Sequence, residues 1–343
     1  MAKSGAARGP DADGDDAAMK ALLCGALGPP DRLTVADLPA PQPGAGEAVV
    51  EVHFAGLNFF DTLIIEGKYQ VKPPLPFSPG GEFSGIVSAL GSGVTGLKIG
   101  DRVAGYCGYG AARQQLACAA SQLSVLPAGL PLDKAAGLIV TYGTSLHALR
   151  QRAALQPDET LAVLGASGGV GLAAVEIGVL MGAQVIACAS SAEKVAFAQA
   201  AGAQSGIDYA NGNLKDALKA TTGGRGVDVV YDPVGGALSE AAVRALAWKG
   251  RLLVIGFAAG PIPAVPLNLV LLKGCDLRGV FWGDFIKREP ILHGENMAQI
   301  LAWAASGALK VQIDSVFPLE QAAEALGRLS RRLAKGKVLL SLR

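Results

Sequence analysis

The stretch Leu164–Ala174, LGASGGVGLAA, decides the fold. It follows ETLAVLG, a short continuous apolar run, and opens GGVGLAAVEIGVLMG, which reads as a helix. The wider run 161–189 is nearly all apolar and long enough to cross a bilayer. Glu176 near its centre argues against a membrane span, because a carboxylate is costly in hydrocarbon. The glycines argue the same way, each costing about 1 kcal/mol in a helix interior. A strand, a glycine turn and a helix explain both features. Gly165, Gly168 and Gly171 form G-x-x-G-x-x-G, and from Ala166 the spacing reads A-x-G-x-x-G. Small residues there let the backbone approach a pyrophosphate, and the helix N-terminus offers free N–H groups and a positive dipole end.

Outward from this turn the chain alternates. AQVIACAS, QSGIDY, GVDVVYDPVG, GRLLVIGFA and CDLRGVFW read as strands. SAEKVAFAQAAG, NLKDALKATTG and ALSEAAVRALAW read as the helices between them. Strands rich in Val, Ile and Leu, separated by helices, predict a parallel sheet covered on both faces. About 20 residues past the glycine turn, an NAD site places an acid on the ribose hydroxyls. Here the segment is ACASSAEK: Ser190 and Ser191 stand in that place, Lys194 follows, and Glu193 is the acid close by. Hydroxyl donors and a cation suit a 2′-phosphate, which predicts NADPH rather than NADH. The alternative makes Ser190 or Ser191 an N-cap and Lys194 a solvated helix residue.

Before the alternating region, residues 41–130 consist of short β-like runs cut by Gly and Pro, the pattern of a compact barrel-like domain. KYQVKPPLPFSPGG must be an irregular loop, since its prolines block both helix and interior strand. Residues 1–18 lack the apolar stretch of a secretory signal and read as a disordered leader, with Met19 opening the folded part. A length of 343 residues suggests two domains. The net charge of +1 includes no basic stripe, which argues against a nucleic-acid partner. The 5 cysteines form no C-x-x-C pair and read as free thiols in a reducing compartment, the cytoplasm. His53, His147 and His293 show no ligand-pair spacing, so no metal is expected.

The phrases AGLNFFDTLIIEGKYQVKPPLPFSPGGEFSGIV, GDRVAGY, GASGGVGLAAVEIG, GRLLVIGF and GKVLLSL resemble the zinc-free NADPH:quinone oxidoreductase branch of the medium-chain dehydrogenases/reductases, which includes the zeta-crystallin relatives. The resemblance runs from Met19 to the C-terminus. It implies an α/β protein: a GroES-like β-rich catalytic domain over 19–141 and 283–343, and a doubly wound Rossmann domain over 142–282. It implies cofactor contacts at Asn58, Thr144, Ser167, Gly168, Gly169, Val170, Ser190, Lys194, Tyr209, Ile255, Gly256, Phe257, Phe281 and Trp282, with Asn58 and Tyr69 lining the catalytic cleft. Pro233 stands where some relatives carry a hydrogen-bonding residue. Zinc-using relatives carry Cys at the position of Asn58 and His beside the acid of GGEFSG, where this chain has Gly81 before Glu82. A homodimer is also implied, and VPLNLVLLKGCDLRGVF at the Rossmann edge reads either as the pairing surface or as interior packing.

The residues restrict the chemistry. Without a Lewis acid, oxidation of an unactivated alcohol loses its main help. No Ser-His-Asp or Cys-His constellation is visible for covalent work. What remains is hydride delivery to an acceptor that is already electrophilic: a quinone, or an enone or enoyl thioester whose oxygen is polarised. Asn58 reads as a donor to a carbonyl or to the nicotinamide amide, Tyr69 as a donor or an aromatic wall, and Asp61 as the cap of the turn after LNFF. A reading from a different class is an NADPH-binding structural or regulatory protein without turnover.

Overall fold

The computed structural model describes residues 18–343. The expected leader therefore lies outside the described residues except for Ala18, which already belongs to a strand, Ala18–Leu23, paired antiparallel with Thr34–Pro39.

Two sheets carry the molecule. The first has 6 parallel strands in the order Ser205–Asp208, Gln184–Ala189, Thr160–Leu164, Val227–Asp232, Leu246–Val254, Asp276–Gly279. Numbered along the chain this is 3-2-1-4-5-6, the doubly wound order, with its reversal between Thr160–Leu164 and Val227–Asp232. A ligand crevice opens at such a reversal, beyond the carboxyl ends of the strands. Thr160–Leu164 is buried along its whole length, as a strand covered by helices on both faces must be.

The second sheet has 7 strands, in the order Ile313–Pro318, Lys337–Ser341, Glu47–Leu57, Glu82–Leu90, Arg102–Tyr106, Leu123–Val125, with Gln115–Ala119 also paired to Glu47–Leu57. Its strands come from both ends of the chain. Val338–Ser341 pairs antiparallel with Phe54–Leu57, so the tail returns to complete the N-terminal sheet. The prolines keep residues 68–81 out of helix and sheet, as expected.

One helix is shorter than the sequence suggests. Ala237–Ala245 stops before Leu246–Trp248, which already belong to the next strand. Apolar residues fit either element, and here pairing with Val227 decides. The apolar helix Gly169–Leu180 is buried against its sheet and against Ile139–Leu146. Its Glu176 carboxylate accepts from the Tyr142 hydroxyl at 2.7 Å and the Lys310 N–H at 3.3 Å, which is how a carboxylate is tolerated there. Among the described residues no helix is long and apolar enough to cross a membrane.

Candidate active site

The glycine turn lies at the reversal of the parallel sheet. Gly168 caps the helix Gly169–Leu180 with extended backbone and no side-chain cap, so the first N–H groups of the helix have no partner inside it. Gly171 has to be glycine: a Cβ there would lie 2.2 Å from the Gly165 carbonyl oxygen. The turn is held from the other sheet as well, since the Gly336 N–H donates to the Ser167 carbonyl at 2.9 Å.

A single cleft runs from this turn in both directions and encloses ≈ 2190 Å³. A pocket for one small ligand measures about 300–1,000 Å³, so this volume suits a dinucleotide together with a second molecule. The cleft brings together every expected site residue: Asn58, Tyr69, Thr144, Ser167–Val170, Ser190, Lys194, Tyr209, Ile255–Phe257, Phe281 and Trp282 all line it.

One end is cationic. Lys194 Nζ lies 3.3 Å from Ser190 Oγ and 2.9 Å from the Arg332 carbonyl oxygen. Ser191 is the N-cap of the helix Ala192–Ala200, accepting from the Lys194 N–H at 3.3 Å, which is one of the roles left open by the sequence, while the Ser190 hydroxyl faces the Lys194 ammonium instead. Glu193, the acid that could compete for the ribose hydroxyls, is held by Lys335 at 2.6 Å, which lowers its pKa. Arg332 lines the same end and was not singled out from the sequence, where it sits in the basic run RRLAKGK.

The other end is aromatic. Phe60 stacks on Tyr69 with ring centroids 5.5 Å apart, and Tyr106 meets Trp282 edge-on at 4.9 Å. Burial, with the nearby Asp61 charge, raises the pKa of the Tyr69 phenol. Burial likewise raises that of Tyr106, so both hydroxyls keep their protons at neutral pH. Tyr106 is a second residue missed from the sequence, where GDRVAGY reads simply as a strand end.

Asn58 departs from expectation. It is 7% exposed, and its carboxamide is engaged on both sides. Nδ2 donates to Glu82 Oε1 at 2.8 Å, and Oδ1 accepts from Lys337 Nζ at 2.9 Å. Asn58 is therefore part of the cleft wall, not a free donor aimed at a carbonyl. Lys337 also reaches Glu82 Oε1 at 2.6 Å, with the lysine 3% and the glutamate 0% exposed. Asp61 does cap the turn: its carboxylate accepts from the Asn58 N–H at 2.7 Å and the Gly80 N–H at 3.2 Å. Burial raises its pKa to about 7, while those two N–H groups and the Lys337 charge pull the other way. No signal in the sequence pairs Lys337 with Glu82, because they stand 255 residues apart.

Among the described residues no three His, Cys, Asp or Glu side chains converge as metal ligands would. The arrangement can hold a phosphorylated dinucleotide along one arm and a flat, apolar molecule against the other.

Comparison with known proteins identifies the family. The family described as alcohol dehydrogenase GroES-like domain matches residues 44–149, and the family described as zinc-binding dehydrogenase matches residues 169–303. Quinone oxidoreductase-like protein 2 of Rattus norvegicus is 41% identical over 326 residues, 94% of this chain and 92% of that protein. Quinone oxidoreductase 1 of Escherichia coli is 33% identical over 318 residues, 91% of this chain and 96% of that protein. The crystal structure of Escherichia coli quinone oxidoreductase complexed with NADPH superposes with a TM-score of 0.87 at 32% identity, covering 94% of this chain and 99% of that one. Fold, cleft and these relatives together place the chain in the quinone oxidoreductase family of the medium-chain dehydrogenases/reductases.

Proposed function

We propose that the protein is an NADPH-dependent oxidoreductase that passes a hydride to a quinone or a similarly electrophilic acceptor without a metal. The observation that carries this reading is the single cleft joining a cation-bearing arm, an uncapped helix N-terminus and an aromatic chamber. Escherichia coli quinone oxidoreductase, similar over nearly its whole length, was solved with NADPH. In our reading the catalytic domain spans 19–141 and 283–343, and the Rossmann domain 142–282.

Lys194, Ser190, Tyr209 and Arg332 would hold the adenosine 2′-phosphate, and the turn Ser167–Val170 the pyrophosphate. Thr144, Ile255, Gly256 and Phe257, with Phe281 and Trp282, would flank the nicotinamide. When bound, the dinucleotide supplies the hydride. The chain's own residues orient the acceptor between aromatic faces and exclude water from it. A quinone needs no further acid in the cleft, because the hydroquinone anion that hydride transfer leaves can take its proton from solvent on release.

Metal independence rests on the donor set. Asn58 presents a neutral amide that is already hydrogen-bonded, and Glu82 is already paired with an ammonium that would repel a dication. Elemental analysis of purified protein should find no stoichiometric zinc; one zinc per chain, with activity lost to a chelator, would overturn this.

A second reading has its own support. Tyr69 and Tyr106 are protonated phenols in the aromatic chamber, able to polarise the oxygen of an enone or enoyl thioester. A panel of quinones and enones, followed by loss of NADPH absorbance, separates the cases. Quinone turnover supports the first reading. Enone turnover with inert quinones moves the assignment to the second. NADPH binding with no turnover on either class identifies a binding protein.

We further propose a homodimer. Leu267, Leu271 and Leu272 are 78%, 79% and 75% exposed beside the edge strand Asp276–Gly279, which favours pairing over interior packing for that segment. The 5 free cysteines suit a reducing compartment, the cytoplasm in this reading.

A further inference from the structure

The dipeptide Gly336–Lys337 touches both halves of the cleft. The Gly336 N–H donates to Ser167 in the phosphate turn at 2.9 Å, and Gly336 forms an isolated parallel bridge with Gly168. One residue later, Lys337 Nζ donates to three oxygens on the opposite wall: the Leu57 carbonyl at 3.0 Å, Asn58 Oδ1 at 2.9 Å and Glu82 Oε1 at 2.6 Å. An ammonium has three donors, so this one is fully used. Both oxygens of Glu82 are engaged as well, for the second accepts from the Val140 N–H at 2.8 Å in the segment that leads to Thr144. The space is made for this pair. A Cβ on Gly56 would lie 2.8 Å from Glu82 Cγ and 2.2 Å from the Ala136 carbonyl oxygen. A buried charge pair with every donor and acceptor satisfied fixes geometry strongly, even where its net contribution to stability is small.

We propose that Lys337 is a positioning residue for hydride transfer: its buried pair with Glu82 locks the Asn58 carboxamide, and through Gly336 it sets the distance between the pyrophosphate turn and the acceptor wall. With its three donors used on Leu57, Asn58 and Glu82, the ammonium acts through those groups and the backbone. This rests on the reading of the cleft as an NADPH and acceptor site.

The test compares wild type, K337M and the double variant E82Q/K337M. The single variant strands a buried carboxylate and should lower the Tm sharply. The double variant removes both charges and should recover most of that loss. Its NADPH Kd, measured by titration without acceptor, should stay within about threefold of wild type, because the adenosine arm is untouched. Its kcat should fall about 10- to 100-fold, the scale of a misplaced reacting geometry, with a smaller change in acceptor KM. A double variant that folds and retains wild-type kcat overturns the proposal. K215M is the control: Lys215 pairs with Asp216 at 3.1 Å on the surface, outside both this network and the cleft, and its kcat should be unchanged.

A measurement on the wild type keeps the proposal falsifiable if neither variant folds. The probe is 2′,5′-ADP, which reaches the phosphate turn but has no nicotinamide half. Bound 2′,5′-ADP should slow amide exchange at 336–341 and 57–61 as well as at 165–171. Protection confined to 165–171 overturns the proposal. Wild type that binds neither NADPH nor 2′,5′-ADP refutes the cofactor reading itself, a different result from either of these.

Discussion

At the scale of single residues, two side chains carry measurable consequences. Lys194 should discriminate between cofactors. A charge-assisted hydrogen bond to phosphate contributes about 1.5–3 kcal/mol, so K194A should weaken NADPH about 10- to 100-fold and leave NADH nearly unchanged. The comparison is kcat/KM with both cofactors, repeated as salt rises, which should erode the preference. Equal losses with both would show a structural role, which its bond to the Arg332 carbonyl makes a concrete alternative. Asp61 should show itself in stability against pH. Its native pKa of about 7 lies above that of an unfolded aspartate, so the native state keeps a proton that the unfolded chain has released. Its contribution is present in full below about pH 4 and is lost as pH rises to about 7. Denaturant titrations of wild type and D61N across that range should show the wild-type decline flattened in the variant. An unchanged slope would mean that Asp61 does not carry it. The sequence identified Lys194 and Asp61 because each has partners within four residues: Lys194 beside Ser190 and Ser191, Asp61 on the Asn58 N–H. It was silent on Lys337 and Arg332, whose partners are set by the tertiary fold.

At the scale of elements, the glycine turn was legible because its requirement is local. The spacing that lets a helix start close to a strand end is the spacing written in the chain, and Gly171 shows why: its Cβ would overlap the Gly165 carbonyl. G171A should therefore destabilise the protein by about 1–3 kcal/mol or more and reduce NADPH binding together with it, as read by denaturation and titration. Wild-type stability in G171A would show that the turn can relax. The end of the helix Ala237–Ala245 was not legible, since apolar Leu246 and Ala247 fit either element until a neighbouring strand claims them. The Asn58 carboxamide was misread for a related reason. Its position in the cleft follows from the local chain, but its orientation is fixed by Glu82 and Lys337, which lie on two other strands.

At the scale of the whole molecule, the exposed leucines beside the edge strand predict that L267D/L271D is a folded monomer. Light scattering at micromolar protein should give the mass of two chains for wild type and of one for the variant. A monomeric wild type would defeat the dimer. The arrangement of the second sheet has a consequence of another kind, in time. The strand that begins at Lys337 pairs with Glu47–Leu57, and the Lys337 ammonium reaches Leu57, 280 positions earlier in the chain. At about 5–20 residues per second, a ribosome needs roughly 15–60 s to travel that distance. Throughout that interval the nascent N-terminal sheet has an open edge, and Glu82 has no counter-ion. The half of the protein made first is thus the half finished last, and for most of its synthesis its folding depends on residues that have not yet been translated.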